Sequence, residues 1–472
     1  MRARFPKAAL AALLLAIAAA APALAEVPGP ALDLRPSGWL AASAYARPNA
    51  EEPFAAAGLR GGLALDGYAF DAVGLRLSLE AYTNLAGLAY AVDWSLARPD
   101  PLSLAATGNG RLMAALDLKE AWLEFSFGAL DTRLGKQVVA WGLADGNNPT
   151  DNVNARHVGT RFVSTLDEQK LGALAANLVY NLPGNLGTVQ GLFLPVSVPN
   201  DMSSIAMDMT FGSMPSTRVV IEEDEAPEAA LGNVEGGLRA LFYFGRLSFS
   251  ASWLSYLDRF PDFRVANTGA FPAFTTTLSP FHSRVNQLGL DAAWLPGGLE
   301  LRTEWALSLT ADTEGTDLGV KNSSLSGVVQ ASKSFYDSRL TTSLAWAPRL
   351  VFDHHAASDY ASASDQKTAS MLAEYNGQAY AFEQVGSLRL AGKLLGETLQ
   401  PEALFLAELE ARDFLATAAV AYNLADGVNL KGGLGIYGSF REEGDPEREW
   451  GTFSNSRTID NDYLYLELRL SL

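Results

Sequence analysis

The last residues of the chain alternate strictly between apolar and polar side chains. Leu464, Leu466, Leu468 and Leu470 would point to one side of an extended strand, and the residues between them to the other. A helix would scatter these leucines around its surface, because residues two apart lie about 200° apart there. The segment therefore predicts a strand with one apolar face.

The same alternation recurs along most of the chain, in segments longer than the average strand of about five or six residues. We therefore expect an all-β protein, a transmembrane antiparallel up-and-down β-barrel with about eighteen strands. Sixteen is the alternative, because Met371 to Phe382 could form a strand, a loop or a short helix. The predicted strands are 37–46, 57–67, 74–85, 116–127, 132–141, 169–181, 187–197, 234–244, 246–257, 284–295, 299–309, 323–335, 339–351, 384–394, 401–410, 414–424, 428–439 and 460–472.

The connections between these strands fall into two classes. Tight turns alternate with long segments near 142–168, 198–233, 258–283, 352–383 and 440–459. Outer-membrane barrels have short periplasmic turns and long extracellular loops, whereas soluble sandwiches rarely separate the two classes by parity. This asymmetry favours the barrel over a soluble sandwich.

The N-terminus has the three parts of a secretory signal peptide. Arg2, Arg4 and Lys7 precede an apolar stretch, and Ala23-Leu24-Ala25 forms a cleavage site. An uncleaved anchor is the alternative, but the apolar run is shorter than the ~18–20 residues of a spanning helix. We expect a signal peptide at 1–25 and one barrel domain at 26–472, in the bacterial outer membrane.

Composition narrows the possible functions. The chain contains no cysteine, which excludes disulfides, thiolate metal sites and cysteine nucleophiles. Its formal net charge is −18, which makes nucleic acid a poor partner. Only four histidines are present, and no G-x-S-x-G elbow surrounds a serine, so we expect no enzymatic activity and no cofactor.

The polar faces of the strands predict a polar barrel interior. Arginine on the lipid side at mid-bilayer would cost about 2–4 kcal/mol, so the charged faces belong inside. With sixteen to eighteen strands, a barrel encloses an aqueous channel unless something plugs it. The residues predicted to face the lumen are Arg76, Glu80, Glu124, Arg133, Glu235, Arg239, Glu300, Arg302, Glu304, Glu467 and Arg469.

The segment 142–168 is rich in Asp, Asn, Gly and Pro, which favour tight turns. It could be an ordered external loop, or it could fold inward and narrow the channel. The candidate residues of this constriction loop are Trp141, Asp145, Asp151, Arg156, His157 and Arg161. Several of its oxygen donors suit calcium, but their spacing lacks the EF-hand pattern, and we predict no metal site.

Part of this region carries a family resemblance. Arg133, Gly135, Lys136-Gln137, Trp141-Gly142 and Asn148-Pro149 resemble the signature of a porin-like family of Gram-negative outer-membrane barrels, distantly similar to alginate exporters. The resemblance covers residues 131–170 and implies a passive channel or an exporter. One departure is the final Leu472, where such barrels usually end in phenylalanine for recognition by the assembly machinery.

The sequence therefore predicts a porin-like channel for small hydrophilic solutes or ions. The lumen charges balance while the loops are acidic, so we expect a weak cation preference. An exporter of an acidic polysaccharide or another specific solute, and a structural surface barrel without transport, are the alternatives. Expected partners are outer-membrane lipid, lipopolysaccharide and the barrel assembly machinery, and the protein could be a monomer or a homotrimer.

Overall fold

The computed structural model describes residues 32–48, 54–69, 73–85, 103–108, 111–144, 148–158, 166–201, 217–222, 227–270, 273–442 and 462–471. The predicted signal peptide lies outside these ranges, as do Asp145, Arg161 and Leu472.

The chain forms a closed antiparallel β-barrel of 18 strands. In chain order the strands are β1 (Leu32–Arg47), β2 (Phe54–Ala69), β3 (Val73–Asn84), β4 (Ser103–Gly108), β5 (Arg111–Phe127), β6 (Leu130–Gln137), β7 (Ala173–Asn181), β8 (Gly187–Leu194), β9 (Thr217–Ile221), β10 (Glu235–Phe244), β11 (Leu247–Leu257), β12 (Asp262–Ala270), β13 (Ala273–Phe281), β14 (Arg284–Trp294), β15 (Leu299–Leu309), β16 (Ser324–Phe335), β17 (Leu340–Val351), β18 (Phe382–Gly392), β19 (Leu399–Glu408), β20 (Asp413–Ala425), β21 (Val428–Ser439) and β22 (Tyr463–Ser471). All except β4, β9, β12 and β13 belong to the barrel, and pairing of β1 with β22 closes it.

Each predicted strand overlaps one barrel strand, so the prediction of eighteen is confirmed and the alternative of sixteen is wrong. The ambiguous segment Met371 to Phe382 divides between two elements. Its first part ends the helix α1 (Ala363–Asn376), and Phe382 begins β18. The predicted strand 132–141 extends too far, because β6 ends at Gln137.

The two faces of the barrel wall differ as the alternation predicts. Leucines on the outer face remain exposed, with Leu466 at 53% and Leu123 at 46%, whereas Glu304 on the opposite face is fully buried. The closed ladder satisfies the strand backbone internally, which a hydrocarbon environment requires. None of the helices in the described ranges is long and apolar enough to cross a membrane.

The connections differ sharply in length between the two ends of the barrel. Those at one end are tight turns, such as Gly128-Ala129 between β5 and β6. At the other end, long segments include 138–172 between β6 and β7, 195–234 between β8 and β10, and 310–323 between β15 and β16. This asymmetry matches the predicted arrangement of short periplasmic turns and long external loops.

The long connections contain an ordered cap that the strand pattern did not predict. Strands β12 and β13 form a hairpin, and β9 pairs in parallel with β13. Phe263 and Leu278 of this sheet pack against Met371 and Leu372 of α1 in one buried cluster. The cap therefore has a small hydrophobic core of its own.

Lys321 fastens the cap to the connection between β15 and β16. Its Nζ lies 2.7 Å from Oδ1 of Asp262 and 3.3 Å from Oδ2 of Asp258. Burial by itself would lower the pKa of Lys321, but the two carboxylates outweigh burial and raise that pKa above its usual value. The ammonium therefore stays charged as part of a buried ion cluster.

Candidate functional site: the segment between β6 and β7

The chain leaves the barrel wall directly after Gln137. The backbone N–H groups that would continue the strand donate to side chains, Val138 to Glu120, Val139 to Asn154 and Trp141 to Asp151. These bonds replace the sheet ladder and explain why β6 is shorter than its apolar pattern predicts. We name residues 138–172 the β6–β7 segment.

Asp151 holds this segment together from within. Its Oδ2 lies 2.8 Å from Nζ of Lys170 and 3.4 Å from Nη2 of Arg156. The Asp151 side chain is only 2% exposed, so both cations compensate a buried charge. Asp151 and Arg156, both candidate residues of the constriction loop, are thus in contact, and Lys170 is a partner that the sequence analysis did not name.

One end of the β6–β7 segment is bound by Glu304 of β15. Its Oε2 accepts hydrogen bonds from the backbone N–H of Leu143 at 2.9 Å and of Ala144 at 3.2 Å. Its Oε1 accepts from the backbone N–H and the hydroxyl of Thr150, at 2.8 and 2.7 Å. Glu304 lies on the wall face opposite the exposed leucines, so this part of the segment lies against that inner face.

The neighbouring wall adds two contacts to the same region. Nε2 of Gln287 on β14 donates to the carbonyl oxygen of Pro149 at 2.9 Å. Nη1 of Arg302 on β15 donates to the carbonyl oxygen of Leu143 at 3.0 Å. Together with Glu304, these side chains bind backbone donors and acceptors of Leu143, Ala144, Pro149 and Thr150, so the position of these residues is specified from several directions.

Trp141 is buried between the segment and the wall. It is 1% exposed, and its Nε1 donates to Oε1 of Gln190 on β8 at 2.9 Å. Gln190 in turn donates to Asn177, and Asn177 donates to Gln137. This chain of amides connects the segment to three adjacent strands and leaves few of its buried polar groups unsatisfied.

The far end of the segment contacts strands on the other side of β6. Oε1 of Glu168 lies 2.6 Å from Nη1 of Arg469 on β22, and Oε2 lies 3.2 Å from Nη1 of Arg60 on β2. Arg60 also pairs with Glu467 of β22 at 2.6 Å. Lys119 of β5 donates to the backbone carbonyl of Glu168. A cluster of charges therefore binds this end to the wall.

His157 contacts the wall and another long connection. Its Nε2 lies 3.2 Å from Oδ2 of Asp117 on β5, and its Nδ1 lies 2.9 Å from Oδ2 of Asp201. Asp117 and Asp201 are the described partners of this candidate constriction residue. The ring therefore joins β5, the β6–β7 segment and the connection 195–234.

A buried ion pair joins the two connections to β10. Arg259 donates to both carboxylate oxygens of Glu235, at 2.9 and 2.7 Å. The same guanidinium donates to the carbonyl oxygens of Val153 at 2.8 Å and Val198 at 3.1 Å. Sequence reasoning chose Glu235 but missed Arg259, because the arginine follows β11 and belongs to no strand pattern.

The charged residues predicted to face the lumen lie opposite the exposed apolar side chains, and most form ion pairs with neighbours. Arg76 contacts Asp66 and Glu120, and Lys119 contacts Glu80. The other pairs are Arg133 with Glu124, Arg239 with Asp291, Arg302 with Glu300, and Arg60 with Glu467. Most of these pairs join adjacent strands, and Arg302 with Glu300 lies within one strand. The pairs of Arg239 with Asp291 and of Arg60 with Glu467 each reach across one intervening strand, β11 and β1 respectively.

The structure describes no group of His, Asp and Glu side chains able to hold a metal ion within the ranges given above. Of the oxygen donors considered for calcium, Asp145 and Asn147 lie outside those ranges. Asp151 is engaged by Lys170 and Arg156. The described part of this segment is thus held by hydrogen bonds and ion pairs.

Several solved structures have a similar fold. OccAB3 of Acinetobacter baumannii matches 93% of this chain and 99% of its own, with 12% identity and a TM-score of 0.50. OccK9 (OpdG) of Pseudomonas aeruginosa matches 93% and 99%, with 14% identity and a TM-score of 0.50. At these identities the likeness concerns the fold alone. No protein-family model and no curated protein matches the sequence.

Proposed function

We propose that this protein is an outer-membrane channel for passive diffusion of small hydrophilic solutes or ions. The closed barrel of 18 strands, with its exposed apolar outer face and charged inner face, supports this function. A barrel of this size is too wide to be filled by its own wall side chains. The N-terminal pattern supports export through a cleaved signal peptide at residues 1–25.

The β6–β7 segment is our candidate for the constriction. The observation that carries this proposal is the contact of Glu304 with Leu143, Ala144 and Thr150 on the inner side of the wall. A segment held there narrows the aqueous cross-section, since it occupies volume that the barrel would otherwise leave to water. Asp145 and Arg161 remain candidate constriction residues of the same segment.

We propose only a weak cation preference. The described wall charges form pairs of opposite sign, so they attract neither sign of ion strongly. The excess negative charge of the chain, −18 overall, would concentrate cations near the pore at low ionic strength. The proposed partners are lipopolysaccharide and the barrel assembly machinery. The protein itself is proposed to be a monomer or a homotrimer. No enzymatic activity or cofactor forms part of the proposal.

The test is single-channel conductance of the refolded mature protein in a planar bilayer. Stable current steps would support an open pore, and the reversal potential in a salt gradient would give the sign of the preferred ion. A folded, inserted barrel without current would contradict the proposal and favour a closed exporter or a structural surface barrel.

A further inference from the structure

The β6–β7 segment covers apolar side chains on the inner face of the wall. Leu192 of β8 and Leu254 of β11 point inward and are buried in one cluster with Trp141 of the segment. Their exposed fractions are only 6% and 1%. On this side of the barrel, apolar surface that faces the lumen is therefore removed from water.

A second group of apolar side chains lies on the inner face of β19 to β22. Cross-strand register places Leu406 opposite Leu415, and Leu415 opposite Tyr437. Residues directly opposite each other share a face of the sheet, with Cβ atoms about 4.5–5.5 Å apart. Phe405, which precedes Leu406, lies on the exposed outer face. We name the group the inner apolar patch, and its members are Leu404, Leu406, Leu415, Tyr437, Tyr463 and Tyr465.

The tyrosine rings of β22 extend the patch across the neighbouring strand β21. A Cβ added to Gly435 would overlap the ring of Tyr463, and one added to Gly433 would lie 2.7 Å from Cε1 of Tyr465. Both rings therefore lie against the wall over these glycines. The centroids of the Tyr463 and Tyr465 rings are 6.3 Å apart, and those of Tyr437 and Tyr463 are 6.5 Å apart, so the three rings form a row.

Most of this patch is accessible from the lumen. Its three leucines and Tyr465 are each partly exposed, unlike the leucines beneath the β6–β7 segment. Trp122, an aromatic side chain on the inner face of β5, differs again, because the guanidinium of Arg133 lies over its ring at 4.1 Å. The inner apolar patch thus presents both aliphatic and aromatic surface to the lumen.

Polar groups border the patch. Arg389 is opposite Leu404, and its Nε donates to Oε1 of Glu402 at 2.7 Å. Thr417 lies between Leu404 and Gly435 in one cross-strand row. The surface therefore combines an apolar area with adjacent hydrogen-bonding groups, which is the usual composition of a binding site for a small molecule.

The position of the patch limits what can cover it. The wall is closed, so membrane lipid and the outer wall of a second barrel cannot reach its inner face. Solutes that pass through the lumen can reach it. A fully hydrophilic solute gains nothing from leucines, whereas a solute with an apolar ring would bury that ring and keep its hydroxyl groups at the polar border or in water.

We propose that the inner apolar patch is a binding site within the channel for uncharged solutes that join an apolar ring to hydroxyl groups. This inference rests on the proposed channel function. The ring lies against Tyr465 and the three leucines, and the hydroxyl groups face Arg389, Glu402 and water. Such solutes remain in the pore longer than fully hydrophilic solutes of similar size.

The test uses phenyl β-glucoside and methyl β-glucoside, which share a sugar and differ in the apolar ring. In single-channel recordings, phenyl β-glucoside should interrupt the wild-type current with dwell times several-fold longer than those of methyl β-glucoside. Leu415→Asn and Tyr465→Ser should each shorten the phenyl β-glucoside dwell time several-fold and leave that of methyl β-glucoside unchanged. Heat-modifiable gel mobility would establish that each variant forms the closed barrel.

Two control variants separate the apolar surface from other effects. Tyr465→Phe keeps the ring and removes only the hydroxyl, so the long dwell time of phenyl β-glucoside should persist. Trp122→Gln removes an inner-face ring that Arg133 already covers, so it should leave the dwell time of phenyl β-glucoside unchanged.

The outcomes separate this inference from the function on which it rests. A conducting wild type with equal dwell times for the two glucosides would overturn the binding site alone. An equal loss in Tyr465→Phe and Tyr465→Ser would overturn its apolar nature, and an equal loss in Trp122→Gln would overturn its location. A wild-type barrel that inserts without conducting would overturn the channel function and the inference together.

Discussion

Gly142 and Glu304 meet so closely that no side chain would fit between them. A Cβ atom added to Gly142 would lie 2.6 Å from each carboxylate oxygen of Glu304. Gly142 also has a φ of +89°, a conformation that other residues rarely adopt. Both the backbone and the available space therefore require glycine here.

Gly142→Ala should displace residues 142–144 from Glu304, because the methyl group cannot share the position of the carboxylate. We expect a larger or noisier single-channel conductance and faster protease cleavage within 138–172. Gly297→Ala is the control, since Gly297 also has positive φ, +56°, but an added Cβ would meet nothing within 4 Å. Equal effects of both substitutions would mean that backbone strain alone is responsible.

Glu304→Gln should weaken the contact between Glu304 and the β6–β7 segment, although the new side chain has nearly the same size. Both carboxylate oxygens accept two donors each, and the amide of glutamine would face one pair of donors with its own N–H groups. Leaving a buried donor unpaired costs about 1–3 kcal/mol. Protection of the Leu143, Ala144 and Thr150 amides from hydrogen exchange should fall, while protection of the β14–β15 ladder should not.

The absence of cysteine allows a direct test of where the segment lies. An ideal Cβ on Gly289 of β14 would be 3.4 Å from Cβ of Thr150, close to the ~3.5–4.5 Å of a disulfide. Thr150→Cys with Gly289→Cys should cross-link on oxidation, with Ser252→Ala to remove a hydroxyl that the new Cβ would overlap. Thr150→Cys with Gly297→Cys should not, and failure of the first pair would argue against a segment held at the wall.

Removal of the Arg259 guanidinium alone should destabilise the protein more than removal of the charges of Arg259 and Glu235 together. Arg259→Met leaves the buried Glu235 carboxylate without its cation, and loss of one partner of a buried pair costs about 3–5 kcal/mol. Thermal unfolding in detergent should show a smaller loss for Arg259→Met with Glu235→Gln than for Arg259→Met alone. Additive losses would mean that the pair is not coupled.

Lys321 should make the cap sensitive to alkali. Because its pKa is raised in the folded protein, the ion cluster contributes stability below the unfolded pKa of about 10.4 and loses it as pH rises through the higher folded value. Protease cleavage of 258–283 should therefore accelerate only above that range. The Lys321→Met variant should be cleaved faster already at neutral pH, and its cleavage rate should not rise further at alkaline pH.

The strands were predictable because their signal is local. The alternation around Leu466 assigns its side chain to the outer face from a few residues alone, and the observed pairing with β21 agrees with that assignment. The site was not predictable in the same way. Leu143 and Glu304 are 161 residues apart, and nothing near either residue indicates that their atoms meet.

Two departures from the strand pattern have local causes that become visible only in the fold. A register shift between Ser78 and Leu79 lets Lys119 and Glu120 both reach inward partners, Glu80 and Arg76. The cap forms because Phe263 and Leu278 find Met371 and Leu372, apolar residues whose spacing fits no barrel strand. The richness of 142–168 in Asp, Asn, Gly and Pro was the sequence signal for the site's internal bonds.

The seam between β1 and β22 has a consequence for assembly. Trp39 pairs with Ser471 and Ala46 with Leu464, so one edge of β1 stays unpaired until β22 is in place. Contacts of such high sequence separation form late, and the unpaired edges remain open to other chains until then. Closure must therefore wait until β22 has been made, and a chain truncated before β22 would keep two unpaired strand edges that can pair with other chains.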